Sequence, residues 1–528
     1  MKRTFFIFLL FFLSSFDVYS QKKMVMAADT LITASLLQEY VNFLASDSLK
    51  GRETPGPGLD TAGAYIARQF QSFGLKPLNG SYFQDLAYCY FDLGDDFGLS
   101  VSDLQGTLKF SLKTDFIPYE FSGNISIEAP VVFAGYGITA PEYGYDDYRD
   151  LDVKGKIVVV LRQEPGQTDS TWKAFGGKEL SPYSGIKEKM QMAKDHGAAA
   201  VLMVSGPLHY NSMKPRGYPW SSLSRTLPRD ILPLGHCGSL KENIPVVHIG
   251  ESVAKALLGS IDSLKNIQLA MEKARKPHSF LLAGKIIKLS VQLTGKPVGG
   301  RNVIGYLEGN DPVLKNQVVV IGAHYDHVGY LRVHRADTDY IFNGADDNAS
   351  GTGGVLAIAR AYSLISWRPE RSILFMAFAG EEKGLLGSDS YIRSPLIPLD
   401  ETVAMLNLDM ISRNSPDSLQ IIGARQNPGL TKIIRKQNKQ VGFILALSNS
   451  KEMGGGSDHF SFFKKDVPSV FFFSGIHPDY HRTGDNPGRI DAAKAARVAK
   501  LAFLTSWYIA NDNHRYKIIK PDDKKDKH

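Results

Sequence analysis

Residues 318–327 read VVVIGAHYDH, so a run of apolar residues leads directly into two histidines and an aspartate. Three later segments share this construction: 373–382 (ILFMAFAGEE), 403–409 (VAMLNLD) and 470–481 (VFFFSGIHPDYH). Short, continuous apolar runs are typical of buried strands in a parallel sheet. Ligands of open α/β sheets bind beyond the carboxyl ends of the strands. The four segments therefore predict one polar site at one edge of an α/β sheet.

The residue types in these segments favour a metal site. Imidazole and carboxylate groups are the ligands that zinc and similar divalent ions accept when no cysteine is present. A further acidic segment, GADDNASG at 344–351, precedes a predicted helix. This inventory is richer than the three ligands that one catalytic ion needs. Two ions about 3.5–4 Å apart, bridged by one carboxylate, form a centre for hydrolysis.

The composition limits the other possibilities. The 528 residues include 43% hydrophobic and 22% charged residues, which excludes a fibrous, collagen-like or wholly disordered chain. The net charge of +7 is not concentrated in a Lys/Arg cluster, so we expect no nucleic-acid binding. The two cysteines, Cys89 and Cys237, exclude a disulfide-stapled scaffold and a cysteine-built metal cluster. Whether the two pair is left open.

The first residues predict export. Met1–Arg3 is basic, the apolar run Phe5–Phe16 follows, and Val18 and Ser20 suit the positions before a cleavage site that would leave Gln21 first. A membrane-spanning helix needs roughly 20 apolar residues, which this run does not have. We therefore expect a cleaved signal peptide, a secreted or periplasmic protein and no stable membrane insertion.

The five motifs HYDH, GADDNASG, AGEEKGLLGS, NLDM and YHRTGDN occur in this order and resemble the M28 family of co-catalytic di-zinc exopeptidases. Residues 131–140, 152–157 and 192–204 resemble a protease-associated (PA) domain. The resemblance implies an α/β zinc exopeptidase fold, with a mixed, mostly parallel sheet flanked by helices and an inserted smaller α/β domain. The expected divisions are a signal peptide (1–20), an N-terminal part of the peptidase domain (30–124), a PA-like insert (125–280), a metallopeptidase core (281–511) and a charged tail (512–528).

The resemblance also implies a metal-ligand set. Carried over residue by residue, His324 and Asp409 would bind one Zn²⁺, and Glu382 and His481 would bind the other. Asp347 would bridge the two ions, giving two zinc ions per chain.

The same resemblance assigns the catalytic roles. Glu381 would be the general base that takes the proton from a metal-bridging water. Asp326, two residues beyond a ligand, would orient that ligand. Tyr480 would donate a hydrogen bond to the developing oxyanion, or would be a packed aromatic residue. Asp485 would orient the imidazole of the ligand at 481, and His459 is a reserve ligand.

These assignments predict an exported zinc aminopeptidase that removes N-terminal residues from peptides; the oligomeric state is left open. Three alternatives remain: a carboxypeptidase of the same family, a single-zinc enzyme resembling glutaminyl cyclase, and a non-catalytic, PA-bearing receptor. A carboxypeptidase would need an arginine to hold a terminal carboxylate, and Arg413 and Arg482 are the candidates. A serine hydrolase is disfavoured because no G-x-S-x-G motif is present.

Overall fold

The computed structural model describes residues 26–27, 30–167, 175, 180–215, 231–335, 337–449 and 456–519. The predicted signal peptide, 1–20, lies outside the described residues. The chain forms two compact units, a first unit of Met1–Leu86 with Gly299–His528 and a second unit of Ala87–Val298. In sequence, the second unit is therefore inserted into the first.

The strands within the described residues are numbered in chain order: β1 Phe83–Asp85, β2 Tyr88–Leu93, β3 Gly98–Asp103, β4 Gly106–Phe110, β5 Phe116–Pro118, β6 Ile125–Ala134, β7 Thr139–Ala140, β8 Tyr145–Asp146, β9 Ile157–Leu161, β10 Ala200–Val204, β11 Ile231–His236, β12 Val246–Ile249, β13 Ser279–Val291, β14 Leu293–Pro297, β15 Arg301–Leu307, β16 Val318–His324, β17 Ser372–Phe378, β18 Thr402–Leu408, β19 Ser418–Ile422, β20 Ile444–Leu447 and β21 Ser469–Phe473.

The α-helices within the same residues are α1 Ala34–Leu44, α2 Pro57–Ser72, α3 Ile186–Asp195, α4 Ser239–Glu242, α5 Glu251–Leu258, α6 Ile261–Ala274, α7 Gly351–Leu364, α8 Leu386–Arg393, α9 Pro428–Asn438, α10 His459–Phe463 and α11 Ala492–Ala510. None of them is long and apolar enough to cross a membrane.

The first unit is built on an eight-stranded sheet of order β1-β15-β17-β16-β18-β21-β19-β20. The four strands predicted from the apolar runs, β16, β17, β18 and β21, are neighbours in this sheet and run parallel. Antiparallel pairing occurs between β1 and β15, β15 and β17, and β19 and β21. The predicted mixed, mostly parallel sheet is confirmed.

Helices cover both faces of this sheet, which explains why its central strands are continuously apolar. On β17, Phe375 packs against Phe70 of α2 and Tyr362 of α7. Its neighbours in sequence point the other way, and Phe378 joins a core cluster with Tyr391 of α8 and Phe462 of α10. Fully buried strands fix the register of the sheet, so the residues at its carboxyl edge are fixed as well.

The second unit has its own eight-stranded sheet, of order β4-β3-β13-β6-β9-β10-β12-β5, and a three-stranded sheet, β11-β2-β14. Strands β6, β9, β10 and β12 run parallel, and the apolar sequences of β9 and β10 are fully buried. The predicted smaller α/β domain is therefore present.

The divisions of the chain differ from those expected at 124/125 and 280/281. Strands β2–β5 belong to the second unit, because β2 pairs with β11 and β14, β3 pairs with β13, and β5 pairs with β12. The expected boundary at 280/281 falls inside β13. These pairings join residues more than a hundred positions apart, so local sequence patterns do not reveal them.

Two other expectations can be compared with the structure. The predicted charged tail, 512–528, is described as far as residue 519. This part packs against other residues of the first unit, to which it belongs. Tyr516 is buried, and the Ile519 N–H donates to the carbonyl of Gln426 at 2.8 Å. The pairing of the two cysteines, left open by the sequence, is resolved: Cys89 and Cys237 form a disulfide within the second unit.

This disulfide closes a chain segment with a sequence separation of 148 residues. A cross-link over so long a segment restricts the unfolded chain, and native disulfides typically contribute about 2–4 kcal/mol. We therefore expect the double variant C89A/C237A to lower the unfolding temperature of the second unit by several degrees in scanning calorimetry. Wild-type protein treated with a reducing agent should show the same decrease. Equal unfolding temperatures for the oxidised wild type and the double variant would contradict this prediction.

Candidate metal centre

The carboxyl ends of the four parallel strands of the first unit bring the predicted site residues together. His324 is the last residue of β16, and Asp409 directly follows β18. Glu381 and Glu382 lie in a single 3-10 turn after β17, and His481 lies in the loop after β21. These side chains therefore lie at the same edge of the sheet, as the order of the strands led us to expect.

Asp347 reaches this edge from a different element. It lies in the π-helical turn Ala345–Ser350, which precedes α7, and the Asp347–Asn348 peptide bond is cis. The carboxylate of Asp485 accepts hydrogen bonds at 3.1 Å from the backbone N–H groups of Asp346 and Asp347. The side chain of Asn348 donates to the Leu408 carbonyl at 3.1 Å. The loop is thus tied to the end of β18.

The two oxygens of Asp347 face two different imidazoles. Oδ1 lies 3.3 Å from His324 Nε2, which is also 3.3 Å from Asp409 Oδ1. Oδ2 lies 3.1 Å from His481 Nε2, which is also 3.1 Å from Glu382 Oε2. Asp347 thus lies between His324 with Asp409 on one side and His481 with Glu382 on the other, which are the two pairs that the M28 resemblance assigned to separate ions.

The donor set and its spacing fit zinc. With Zn–N and Zn–O distances of about 2.0–2.2 Å, neighbouring ligand atoms in a tetrahedral site lie about 3.3 Å apart, close to the distances observed here. Among the described residues, no donor makes a well-aligned hydrogen bond to Asp347 Oδ2 or Asp409 Oδ1, although both atoms are buried. Buried carboxylate oxygens normally have partners, and a divalent cation would provide one.

Two residues extend the predicted groups. Glu381 has a carboxylate oxygen 3.9 Å from His324 Nε2 and could act as a ligand beside His324 and Asp409. His327, which was not among the predicted ligands, lies with its Nδ1 2.8 Å from Glu382 Oε1 and 3.7 Å from Asp347 Oδ2. Its place three residues after His324 in the same motif was the signal that could have identified it.

Glu381 has the surroundings of a proton acceptor. Burial raises its pKa well above the ordinary glutamate value, and the charges of Glu382, Asp409 and Asp458 add to the increase, against the opposing charge of His324. A carboxylate with a raised pKa is suited to take and return a proton near neutral pH.

Asp326 contacts His324, the ligand that it was predicted to orient, and also contacts Glu381. Its Oδ1 lies 3.6 Å from Nδ1 of His324 and accepts a hydrogen bond from the backbone N–H of Glu381 at 3.1 Å. Its Oδ2 accepts a hydrogen bond from Thr54 Oγ1 at 3.1 Å. One carboxylate thus connects a predicted ligand with the predicted base.

Tyr480 is both packed and close to the site. Its ring stacks on that of His481 with centroids 3.9 Å apart and packs against a cluster that includes Phe471 and Phe473. Burial and the nearby carboxylates, Asp347 foremost, raise the pKa of its hydroxyl. The hydroxyl therefore remains protonated and able to donate.

The remaining sequence expectations concern Asp485 and His459. Asp485 does not hold the imidazole of His481; its carboxylate is used by the two backbone N–H groups of the Asp347 loop. The reserve ligand His459 is fully buried beside Phe471, where burial lowers its pKa to about 3, and it belongs to neither ligand group.

The histidines and carboxylates of the site shift one another's pKa values. Burial alone would raise the pKa of Asp347, but His327, His324 and His481 hold it well below its ordinary value. Burial alone would lower the pKa of His481, but the adjacent carboxylates of Asp347 and Glu382 raise it to about 10. The Asp347 carboxylate is therefore ionised, which is the form in which a carboxylate binds a cation.

Comparison with known proteins agrees with this geometry. Residues 302–506 match peptidase family M28, and residues 127–257 match the PA domain. The chain is 30% identical over 208 residues to a probable leucine aminopeptidase of Trichophyton verrucosum, an alignment that covers 38% of this chain and 56% of that protein. The chain thus spans little more than half the length of this relative.

Two other similarities extend further along the chain. Aminopeptidase YwaD of Bacillus subtilis is 25% identical over 431 residues, which cover 79% of this chain and 75% of that protein. The solved aminopeptidase from Aneurinibacillus sp. strain AM-1 is 20% identical with a TM-score of 0.47, covering 94% of this chain and 98% of that one. Residues 302–506 thus carry the match to peptidase family M28, and residues 127–257 carry the match to the PA domain.

Proposed function

We propose that this protein is an exported zinc aminopeptidase with two zinc ions per chain. The observation that carries the proposal is the position of Asp347, whose two oxygens each lie about one ligand–ligand distance from a different imidazole. His324 and Asp409 would complete one site, and Glu382 and His481 the other. The related aminopeptidases named above support the reaction class.

Bound zinc would polarise the scissile carbonyl and lower the pKa of the attacking water. Glu381 takes the proton of that water as its oxygen attacks the carbonyl carbon, and then gives this proton to the leaving amine. Asp326, which accepts the Glu381 N–H, fixes the start of the turn that carries this base. Tyr480 donates its hydroxyl hydrogen to the oxyanion that forms during attack.

The charge of the site favours substrates with a free amino terminus. Glu381, a buried carboxylate that the proposed ligand set leaves without a metal ion, suits an ammonium group better than a terminal carboxylate. Arg413, a sequence candidate for holding a carboxylate, is already paired with Asp479 at 2.7 Å. Its other terminal nitrogen lies 3.8 Å from Asp485. These contacts support aminopeptidase rather than carboxypeptidase activity.

The alternatives without di-zinc hydrolysis have less support. A receptor that has lost catalysis would lack ligands or the base, whereas both ligand groups and Glu381 are in place. A single-zinc enzyme resembling glutaminyl cyclase would have no need for an Asp347 that faces both imidazoles.

Export is supported by the N-terminal sequence pattern. The Cys89–Cys237 disulfide is compatible with it, because such bonds persist in oxidising compartments. The substrates we propose are peptides outside the cytoplasm.

Removal of Asp347 should cost both metal ions, because it is the ligand that the two groups share. We expect D347A to contain less than one zinc per chain by elemental analysis after dialysis. The control is D417A, which removes an exposed aspartate paired with Arg497 in the same unit and should leave the zinc content unchanged. Two retained zinc ions in D347A would rule out the bridging role.

Glu381 should be needed for turnover but not for zinc. A glutamine at this position keeps the size of the side chain and cannot accept a proton, so kcat of E381Q should fall by about 10²–10⁴-fold. Zinc content and unfolding temperature should stay at wild-type values. If E381Q lost zinc along with activity, Glu381 would be a ligand instead; if it kept full activity, it would have no catalytic role.

The direction of cleavage can be measured with one peptide in three forms: free at both ends, acetylated at the amino end, and amidated at the carboxyl end. We expect acetylation to abolish hydrolysis and amidation to leave the rate nearly unchanged. The opposite pattern would establish the carboxypeptidase alternative.

A further inference from the structure

The metal centre is contacted by a segment far from it in sequence, Arg52–Thr54, which lies outside the residues matched by the M28 family. Its first residue, Arg52, is the last residue of the 3-10 helix Asp47–Arg52. In this helix Lys50, Gly51 and Arg52 all have left-handed backbone conformations, with φ of 45°, 68° and 48°. Such conformations are unfavourable for residues other than glycine and persist only where surrounding contacts hold them.

The backbone at Gly51 packs closely against the backbone of Gly329 and Phe342. A Cβ atom on it would lie 2.1 Å from the carbonyl oxygen of Gly329 and 2.5 Å from that of Phe342. These two residues belong to the chain between the metal-binding motifs at 324–327 and 344–351. The backbone at Gly51 is therefore packed against both ends of that connection, and no larger residue fits there.

The Arg52 side chain is 1% exposed and bonds only to backbone carbonyls. Its Nε donates to Tyr325 at 2.8 Å, between His324 and Asp326 in sequence. One terminal nitrogen donates to the carbonyl of Asn343 at 2.8 Å and to that of Leu44, and the other donates to Gly344 at 3.0 Å. A single guanidinium thus joins the strand end that carries His324, the loop that carries Asp347 and the end of α1.

Two further contacts come from the same short segment. The carbonyl of Arg52 accepts the backbone N–H of His327 at 3.2 Å, and Thr54 Oγ1 donates to Asp326 Oδ2 at 3.1 Å. Arg52 therefore contacts Tyr325 and His327, and Thr54 contacts Asp326 between them.

Arg52 also brings a buried positive charge without a paired carboxylate at salt-bridge distance among the described residues. Burial lowers its pKa to about 10, and the charges of Asp326, Asp347, Asp485 and Glu382 act against that decrease. It stays charged at neutral pH and offsets part of the negative charge that the site gathers.

We propose that Arg52–Thr54 is a positioning segment for the metal centre: Arg52 holds the His324 strand end and the Asp347 loop in the arrangement that binds zinc, and Thr54 fixes Asp326. The inference rests on the zinc site proposed above. It concerns residues that touch neither the ions nor the substrate, and it predicts that metal affinity and ligand geometry depend on them.

The test compares R52K and T54V with wild type and with R371K. Lysine keeps the charge of Arg52 but cannot reach carbonyls in three directions, and valine keeps the shape of Thr54 without its hydroxyl. Arg371 is the matched control, since it is also fully buried in the first unit and donates to the carbonyls of Ile509 and His514, away from the metal centre. The readouts are zinc affinity by chelator competition, the visible spectrum of the Co²⁺-substituted protein, and the unfolding temperature without metal.

We expect the zinc affinity of R52K to fall by about 10- to 100-fold, as for other residues that orient metal ligands, with a changed Co²⁺ spectrum. T54V should show a smaller change in both, and R371K should lower the unfolding temperature without changing either. If R52K does not fold, T54V against wild type decides. Wild-type zinc affinity and Co²⁺ spectra in the folded variants would overturn the proposal. A wild-type protein that binds no zinc would instead overturn the zinc site itself.

Discussion

The geometry of the candidate metal centre depends on where the Asp347 carboxylate is held. One oxygen lies against His324 and the other against His481, and these imidazoles come from strand ends on opposite sides of β18. A side chain can contact both imidazoles only if its loop is held in one position. Hydrogen bonds to Asp485 and from Asn348 to the end of β18 provide that restraint, because they satisfy the backbone groups of the turn.

This arrangement gathers buried carboxylates that repel one another in the absence of a cation. Histidines offset the repulsion at Asp347 and hold its pKa low, whereas burial and the neighbouring carboxylates raise the pKa of Glu381. Two acids in one site with pKa values moved in opposite directions can serve as ligand and base respectively. The buried Arg52 adds a fixed positive charge whose hydrogen bonds all go to carbonyls, so it does not compete for the carboxylates that would bind metal.

None of the described residues of the second unit belongs to either ligand group. Its sheet has separate core clusters, and its disulfide links β2 to the residue after β11. Its strands β2–β5 and β13–β14 pair across most of its length, so the segment 87–298 forms its own core. The family matches reflect this division, since the M28 and PA regions do not overlap.

The sequence alone determined the α/β class and the four parallel strands with acids and histidines at their ends, because apolar runs followed by such residues are local patterns. The choice of the five ligands came from the resemblance to the M28 motifs, and it includes Asp347, which lies in a turn before a helix and follows no strand. It could not determine the division at 86/87 and 298/299 or the Cys89–Cys237 pairing, since both depend on strand pairing between distant residues. Nor did any pattern identify Arg52, because an isolated arginine in a loop resembles any surface residue. Only the tertiary structure buries it beneath the metal-binding loops, where backbone carbonyls from three separate segments need one donor with several directions.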